Sequence, residues 1–156
     1  MEITSGMVQI PTADGNMSAL AARPTAAGKH AAVIVVQEAF GLNAHIKDVA
    51  SRLAREGYAT LAPDLYYREK DTVVGYENLP EAIRLMMSLS DDKIVADMGA
   101  AISYLQQQPS VRGDRIGVTG FCMGGRVTFL TACLNAAVKA AVPFYGGGIA
   151  SVMQPS

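Results

Sequence analysis

The chain contains few of the residues on which metal sites and disulfide frameworks depend. Its 156 residues include two cysteines, Cys122 and Cys133, and two histidines, with no CxxC pair and no Cys/His cluster. Zinc sites and disulfide-rich small domains need several such residues at short spacings. We therefore expect neither a structural metal site nor a disulfide framework.

The chain also lacks an excess of positive charge and a long apolar segment. Thirteen basic and fourteen acidic residues leave a net charge of -1, and the lysines and arginines form no cluster or stripe. Nucleic-acid-binding surfaces need such a stripe. Residues 1–15 have no basic start followed by an apolar run, and no later stretch is long and apolar enough to cross a bilayer. We expect a soluble cytoplasmic protein without a nucleic-acid or membrane partner.

Half of the residues are hydrophobic, which is enough to fill one core in a chain of this length. No internal repeat, low-complexity tract or interdomain linker interrupts the sequence. Residues 1–156 are therefore predicted to form a single domain.

Hydrophobic periodicity predicts an antiparallel hairpin followed by alternating strands and helices. The hairpin strands are predicted at 3–10 and 17–22, with a turn at Asp14-Gly15. Further strands are predicted at 30–37, within 58–67, at 115–121 and at 140–146, and helices at 44–56, 79–89, 91–107 and 123–135. Residues 68–78 are predicted to be a polar surface loop. This order predicts an α/β fold with a mostly parallel sheet and helices on both faces.

Chemistry in such sheets lies at the carboxyl ends of the strands, and the stretch VTGFCMGG, residues 118–125, lies at one of them. A G-x-C-x-G sequence between a strand and a helix is typical of a tight turn whose central residue is strained and whose neighbours must be small. The turn would place Cys122 at a helix N-terminus, where the helix dipole favours thiolate over thiol. Cys122 is therefore predicted to be a nucleophile, and a buried structural cysteine is the alternative.

A nucleophile that attacks an acyl carbon needs donors for the oxyanion. The backbone N–H of Met123 follows the nucleophile, and the N–H of Ala39 lies in the loop after the third strand, so both are candidates. Glu38 in that loop has two interpretations. Its carboxylate could lie near the sulfur, where burial would raise its pKa, or it could cap the next helix or bind water.

Three stretches, residues 35–69, 97–126 and 140–148, resemble the dienelactone hydrolase family, also called carboxymethylenebutenolidases, of the α/β-hydrolase superfold. The resemblance implies hydrolysis of a lactone or ester through a Cys-His-Asp triad, with no metal and no cofactor. Cys122 matches the family nucleophile, and Glu38 matches a glutamate that hydrogen-bonds the resting thiol. Phe40 and Tyr145 fall near pocket positions, so they are candidate substrate-binding residues.

The sequence departs from the family pattern after Cys122. The family places its Asp and then its His after the nucleophile, whereas Asp114 is the last acidic residue here and the histidines are His30 and His45. Both histidines are expected to be ordinary surface residues. The sixth strand would also have an unpaired outer edge, so we expect the chain to be the N-terminal two-thirds of a hydrolase domain, without its C-terminal strands.

Substrate specificity is less well defined by the sequence. The family's best-known substrates carry a carboxylate that arginines bind, and Arg84, or Arg68, lies near such a position. The expected partner is a small ester or lactone, and the exact substrate and the oligomeric state stay open. A non-catalytic or regulatory hydrolase-like module is the second hypothesis, and a thiol redox sensor is the third.

Overall fold

A six-stranded sheet organises residues 1–152, the part of the chain that the computed structural model describes. The strands lie in the order β1-β2-β4-β3-β5-β6. The first two form the predicted hairpin, β2 pairs antiparallel with β4, and the remaining pairs are parallel. The strands are β1 Ile3–Thr12, β2 Gly15–Pro24, β3 His30–Val36, β4 Ala59–Pro63, β5 Val111–Phe121 and β6 Val138–Phe144. This architecture confirms the predicted α/β-hydrolase-like fold class.

The helices begin where the sequence supplies capping side chains. Asn43 accepts a hydrogen bond from the N–H of Ile46, and Ser90 and Asn78 cap the next two helices in the same way. Gly57 ends the first helix with a φ of +105°, a conformation that favours glycine. The helices are α1 Ala44–Arg55, α2 Leu79–Met87, α3 Asp91–Gln106, α4 Met123–Leu134 and α5 Ile149–Val152. None of the described helices is long and apolar enough to span a membrane.

The core consists of two clusters, one on each face of the sheet, and β3 contributes residues to both. Ile34 and Val36 belong to the larger cluster, which includes residues of α3 and α4, while Val35 packs in a smaller cluster with Ile46 and Ala50 of α1. A strand covered on both faces carries an uninterrupted apolar run, since neither side of its pleat meets water. That is why residues 30–37 have no polar alternation.

The sheet is less well covered at β6, its edge strand. Val142 and Phe144 are exposed, at 51% and 43% of their surface. A cavity of about 870 Å³ lies between α1 and the neighbouring faces of β5 and β6. Its lining is largely apolar and includes Val33, Val49, Leu53, Phe121, Val142 and Phe144.

Two details differ from the sequence-based expectations. β5 begins at Val111 rather than at residue 115, because Val111 pairs with His30 across a register shift. In α3, Val95 is exposed although its helical spacing with Ile94, Met98 and Ile102 predicts a buried position. The buried position on that helix is taken by Asp97, which is 1% exposed and whose charge is matched by Arg68.

Candidate active site

Cys122 occupies a strained turn between β5 and α4. Its φ of +56° and ψ of -118° are unusual for a residue with a side chain. Strain of this kind costs about 1 to 3 kcal/mol and persists where the surrounding structure enforces it. The tight turn predicted from the sequence is therefore present.

The glycines around Cys122 are required by close backbone contacts. A Cβ atom on Gly124 would lie 2.5 Å from the carbonyl oxygens of Val36 and Gln37. A Cβ on Gly120 would collide with the carbonyl of Gly124. The first turn of α4 thus packs directly against the carboxyl end of β3, which is possible only without side chains at these positions.

The neighbouring strand β6 contributes a second strained residue. The N–H of Cys122 donates to the carbonyl oxygen of Phe144 at 3.1 Å. The next residue, Tyr145, has a φ of +39°. Its ring lies 6.2 Å from that of Phe121. Two non-glycine residues with positive φ therefore stand side by side where β5 and β6 end.

The two predicted oxyanion donors lie on the segments that meet beside Cys122. Met123 is the first residue of α4, so its N–H points out of the helix without an intrahelical acceptor. Ala39 lies in the loop after β3, and its N–H makes no hydrogen bond within residues 1–152. The hydroxyl of the buried Tyr66 contacts both residues, at 3.0 Å from the Ala39 carbonyl oxygen and 3.4 Å from Met123 Sδ.

Glu38 is half-buried and belongs to a chain of hydrogen bonds. The Tyr76 hydroxyl donates to Glu38 Oε2 at 3.3 Å, and Asn43 Nδ2 donates to that hydroxyl at 3.1 Å. The ring of Phe40 packs on Tyr76 with a centroid distance of 4.6 Å. Glu38 is therefore held by Tyr76, a residue that no sequence pattern indicated.

The segment that carries Tyr76 is more than the surface loop predicted for residues 68–78. The N–H of Val74 donates to the Phe40 carbonyl oxygen at 3.0 Å, and Val73 forms an isolated bridge with Gly41. Gly41 has a φ of +88°, and a Cβ there would collide with the Thr72 carbonyl oxygen. The segment packs on the loop after β3 and so completes one wall of the site.

Two tyrosine phenols in this part of the structure have raised pKa values. Desolvation, followed by the charges of Glu38 and Cys122, raises the pKa of Tyr145. Burial, followed by the charges of Cys122 and Asp64, raises the pKa of Tyr66. Both phenols therefore stay protonated at neutral pH and can donate hydrogen bonds.

The side chains of Arg84 and of the two histidines make no hydrogen bond with Cys122 or Glu38 within residues 1–152. Arg84 is on the exposed side of α2, where it pairs with Glu81 and Glu69. His45 is exposed on α1, as expected. His30 is half-buried and begins β3, so it lies at the opposite end of that strand from the loop that carries Glu38. Within residues 1–152, no three His, Cys, Asp or Glu side chains group in a way that could hold a metal ion.

Comparison with known proteins identifies a family and a fold. Residues 17–156 match the model of the dienelactone hydrolase family. A relative from Methylorubrum extorquens, named as a carboxymethylenebutenolidase, is 40% identical over an alignment of 156 positions, which covers 98% of this chain and 53% of the relative. One from Synechocystis with the same name is 39% identical over 155 residues, with 96% of this chain and 61% of the relative covered. The chain thus spans between about half and three-fifths of the length of these relatives.

Solved structures agree with this assignment. A crystal structure from Klebsiella pneumoniae, named as a dienelactone hydrolase, superposes with a TM-score of 0.84 at 40% identity. The superposition covers 94% of this chain and 61% of that one. A dienelactone hydrolase-like promiscuous phosphotriesterase from metagenomic libraries superposes with a TM-score of 0.81 at 30% identity, over 94% of this chain and 61% of its own.

Proposed function

The chain belongs to the dienelactone hydrolase family, and on that premise we propose that its residues form the acyl-accepting half of an ester or lactone hydrolase with Cys122 as the nucleophile. The observation that carries the proposal is the backbone conformation of Cys122 at the N-terminus of α4. A structural cysteine does not need a strained turn that two close-packed glycines make possible. Strain at such a junction is characteristic of an exposed nucleophile.

In the proposed reaction the sulfur of Cys122 attacks the carbonyl carbon of the substrate. A C–S bond forms, and the electron pair of the carbonyl π bond moves onto the oxygen, where the N–H groups of Met123 and Ala39 donate to it. When the tetrahedral intermediate collapses, the C–O bond to the leaving group breaks. With an ester the products of this step are a thioester on Cys122 and a free alkoxide or phenolate; with a lactone the ring opens, and the alkoxide stays attached to the acyl chain of the thioester.

Glu38 is the proposed acceptor of the thiol proton. Its half-buried carboxylate lies in the same loop as the donor Ala39, and the hydrogen bond from Tyr76 fixes one of its oxygens. The other oxygen can accept a proton from the thiol as the sulfur becomes an anion at the helix N-terminus. A Cys-carboxylate pair of this kind needs no metal ion or other cofactor.

The proposed substrate is a small ester or lactone. Names of the relatives point to a lactone, and Phe40 in the loop after β3 and Tyr145 directly after β6 would supply apolar surface to such a substrate. Arg84 stays a predicted carboxylate-binding residue. It would have to exchange its pairing with Glu81 and Glu69 for the substrate carboxylate.

The experiment is acylation by p-nitrophenyl acetate, an activated ester that releases a coloured phenolate. We expect a burst of one equivalent, with the acetyl group on the peptide that contains Cys122. Further turnover should be slow because His30 and His45 lie outside the turn around Cys122, residues 120–124, here called the elbow turn. Mass spectrometry of the digested protein locates the acetyl group.

Two variants complete the design. Cys122→Ala should abolish the burst, and Cys133→Ala, which removes the other thiol, should leave it intact. A burst that survives Cys122→Ala would contradict the assignment of the nucleophile. Repeated turnover that is lost in both Cys122→Ala and His45→Ala would show that His45 acts as a base.

A further inference from the structure

One side chain touches both residues that supply the proposed oxyanion donors. Tyr66 lies in the turn after β4 and is 1% exposed. Its hydroxyl donates to the carbonyl oxygen of Ala39 at 3.0 Å, and the phenolic oxygen lies 3.4 Å from the sulfur of Met123. A single phenol therefore joins the loop after β3 to the first residue of α4.

This contact matters because the two donors come from separate segments of the chain. The N–H of Ala39 lies outside any strand or helix, so the peptide planes of its loop decide where it points. Donors for an oxyanion are effective only when they are fixed before the charge develops. The hydrogen bond from Tyr66 holds the carbonyl of Ala39 and with it the orientation of this loop.

Tyr66 is itself held from several sides. Its backbone N–H donates to Asp64 Oδ1 at 3.0 Å, and the N–H of the preceding Leu65 donates to the buried side-chain oxygen of Gln37 at 3.1 Å. Gln37 comes directly before Glu38 in the same loop. Burial raises the pKa of the Tyr66 phenol, so the group remains a hydrogen-bond donor at neutral pH.

We propose that Tyr66 is a positioning residue that fixes the distance and orientation of the N–H groups of Ala39 and Met123 for the oxyanion. This inference rests on the proposed function. It assigns to Tyr66 no contact with the substrate and no proton transfer. Its role is to hold the loop that contains Ala39 at a fixed position relative to the N-terminus of α4.

The test compares two reactions of the same thiol in Tyr66→Phe, which keeps the ring and removes only the hydroxyl. Acetylation of Cys122 by p-nitrophenyl acetate develops an oxyanion, whereas alkylation by iodoacetamide displaces iodide and develops none. We expect acetylation to slow about 10-fold, less than the loss for deleting a donor outright. The alkylation rate and its pH profile should stay as in the wild type.

Tyr67→Phe is the matched control. The Tyr67 hydroxyl also makes two hydrogen bonds, with Thr12 at 2.7 Å and Asp97 at 3.1 Å, but both partners lie away from Cys122. This variant should acetylate and alkylate at wild-type rates. Circular dichroism and thermal unfolding of both variants verify that the fold is retained.

The outcomes separate the two hypotheses. If the wild type is acetylated on Cys122 and Tyr66→Phe reacts equally fast, the role of Tyr66 is refuted and the proposed function stands. Equal slowing of acetylation and alkylation would refute it too, since it would indicate a general disturbance of the thiol. Failure of the wild type to acetylate on Cys122 would refute the proposed function itself, and the inference with it.

Discussion

Cys122 and Cys133 lie at opposite ends of the same helix. Cys122 is the N-cap of α4, and Cys133 is in its last turn. Their eleven-residue separation along a helix corresponds to about 16 Å. The positive end of the helix dipole therefore faces one thiol and the negative end faces the other, while a disulfide between them is excluded by distance.

This arrangement predicts opposite orders of reactivity and exposure. Cys133 is exposed and Cys122 only partly so, which means that access alone would make Cys133 the faster thiol. Cys122, however, occupies the strained turn between β5 and α4, where a side chain is presented as a reactive nucleophile. We expect limiting iodoacetamide at neutral pH to label Cys122 about 10-fold faster, as measured by peptide mapping.

Denatured protein provides the control for this prediction. In urea the helix is lost and the two thiols should react at similar rates. Faster labelling of Cys133 in the folded protein would show that α4 does not activate Cys122. The separation of the thiols also excludes Cys133 as a resolving thiol for Cys122 while α4 is folded.

Replacing glycine by alanine should have opposite effects on stability in the turn around Cys122 and in α3. Gly124→Ala forces a methyl group against two carbonyl oxygens and should destabilise the protein by about 1 to 3 kcal/mol. Gly99→Ala lies within α3 with open space at its Cβ position, so it should stabilise by up to about 1 kcal/mol. Chemical denaturation measures both, and similar effects of the two substitutions would contradict the packing described for the turn.

The ion pair between Arg68 and Asp97 is the most buried salt bridge among the described residues. Arg68 makes two hydrogen bonds to Asp97, at 2.7 and 2.9 Å, and reaches Asp14 at 2.7 Å. It thus joins the β1–β2 hairpin to α3. Since the carboxylate of Asp97 is buried, Arg68→Met should cost about 3 kcal/mol in the free energy of unfolding.

Arg84 supplies the comparison for this ion pair. It pairs with Glu81 at 2.8 Å in solvent, so Arg84→Met should cost much less in the free energy of unfolding than Arg68→Met. The double variant Arg68→Met/Asp97→Leu should recover much of the loss, because it leaves no buried charge unpaired. A cost for Arg68→Met no larger than that for Arg84→Met would show that Asp97 is solvated in solution.

The elbow turn could be predicted from the sequence because its requirements are local. The residues two positions before and two positions after Cys122 must be small for the turn to form, and the sequence has glycine at both, Gly120 and Gly124. The caps Asn43 and Ser90 are local in the same sense, since each bonds a backbone N–H three residues on. Such features need no knowledge of the rest of the fold.

Tyr66, Tyr76 and the ion pair of Asp97 could not be predicted in that way. Tyr66 bonds a residue 27 positions away, and Tyr76 bonds one 38 positions away. A tyrosine in a loop carries no pattern that names such a partner, and a lone aspartate in a helix resembles a solvated residue. For Tyr66 the one available signal was its position just after a strand, at the edge where chemistry is expected.

The last prediction concerns the pH dependence of stability at Asp64, a 7% exposed carboxyl at the end of β4. Burial raises its pKa above the usual 3.8, although hydrogen bonds from Thr72 and Tyr66 and the charge of Lys47 act in the opposite direction. The folded protein therefore holds this proton more tightly than the unfolded chain does. A raised pKa contributes stability below about pH 3.8, and that contribution is lost as the pH rises through the folded-state value.

Asp64→Asn keeps the oxygen that accepts the N–H of Tyr66 but cannot ionise, so its stability relative to wild type should rise between about pH 3 and about pH 7. Urea unfolding at each pH measures the difference, and the exposed Asp114→Asn should show no such rise. A relative stability of Asp64→Asn that falls over this range would mean that the ionised carboxylate is stabilised in the fold, most directly by Lys47.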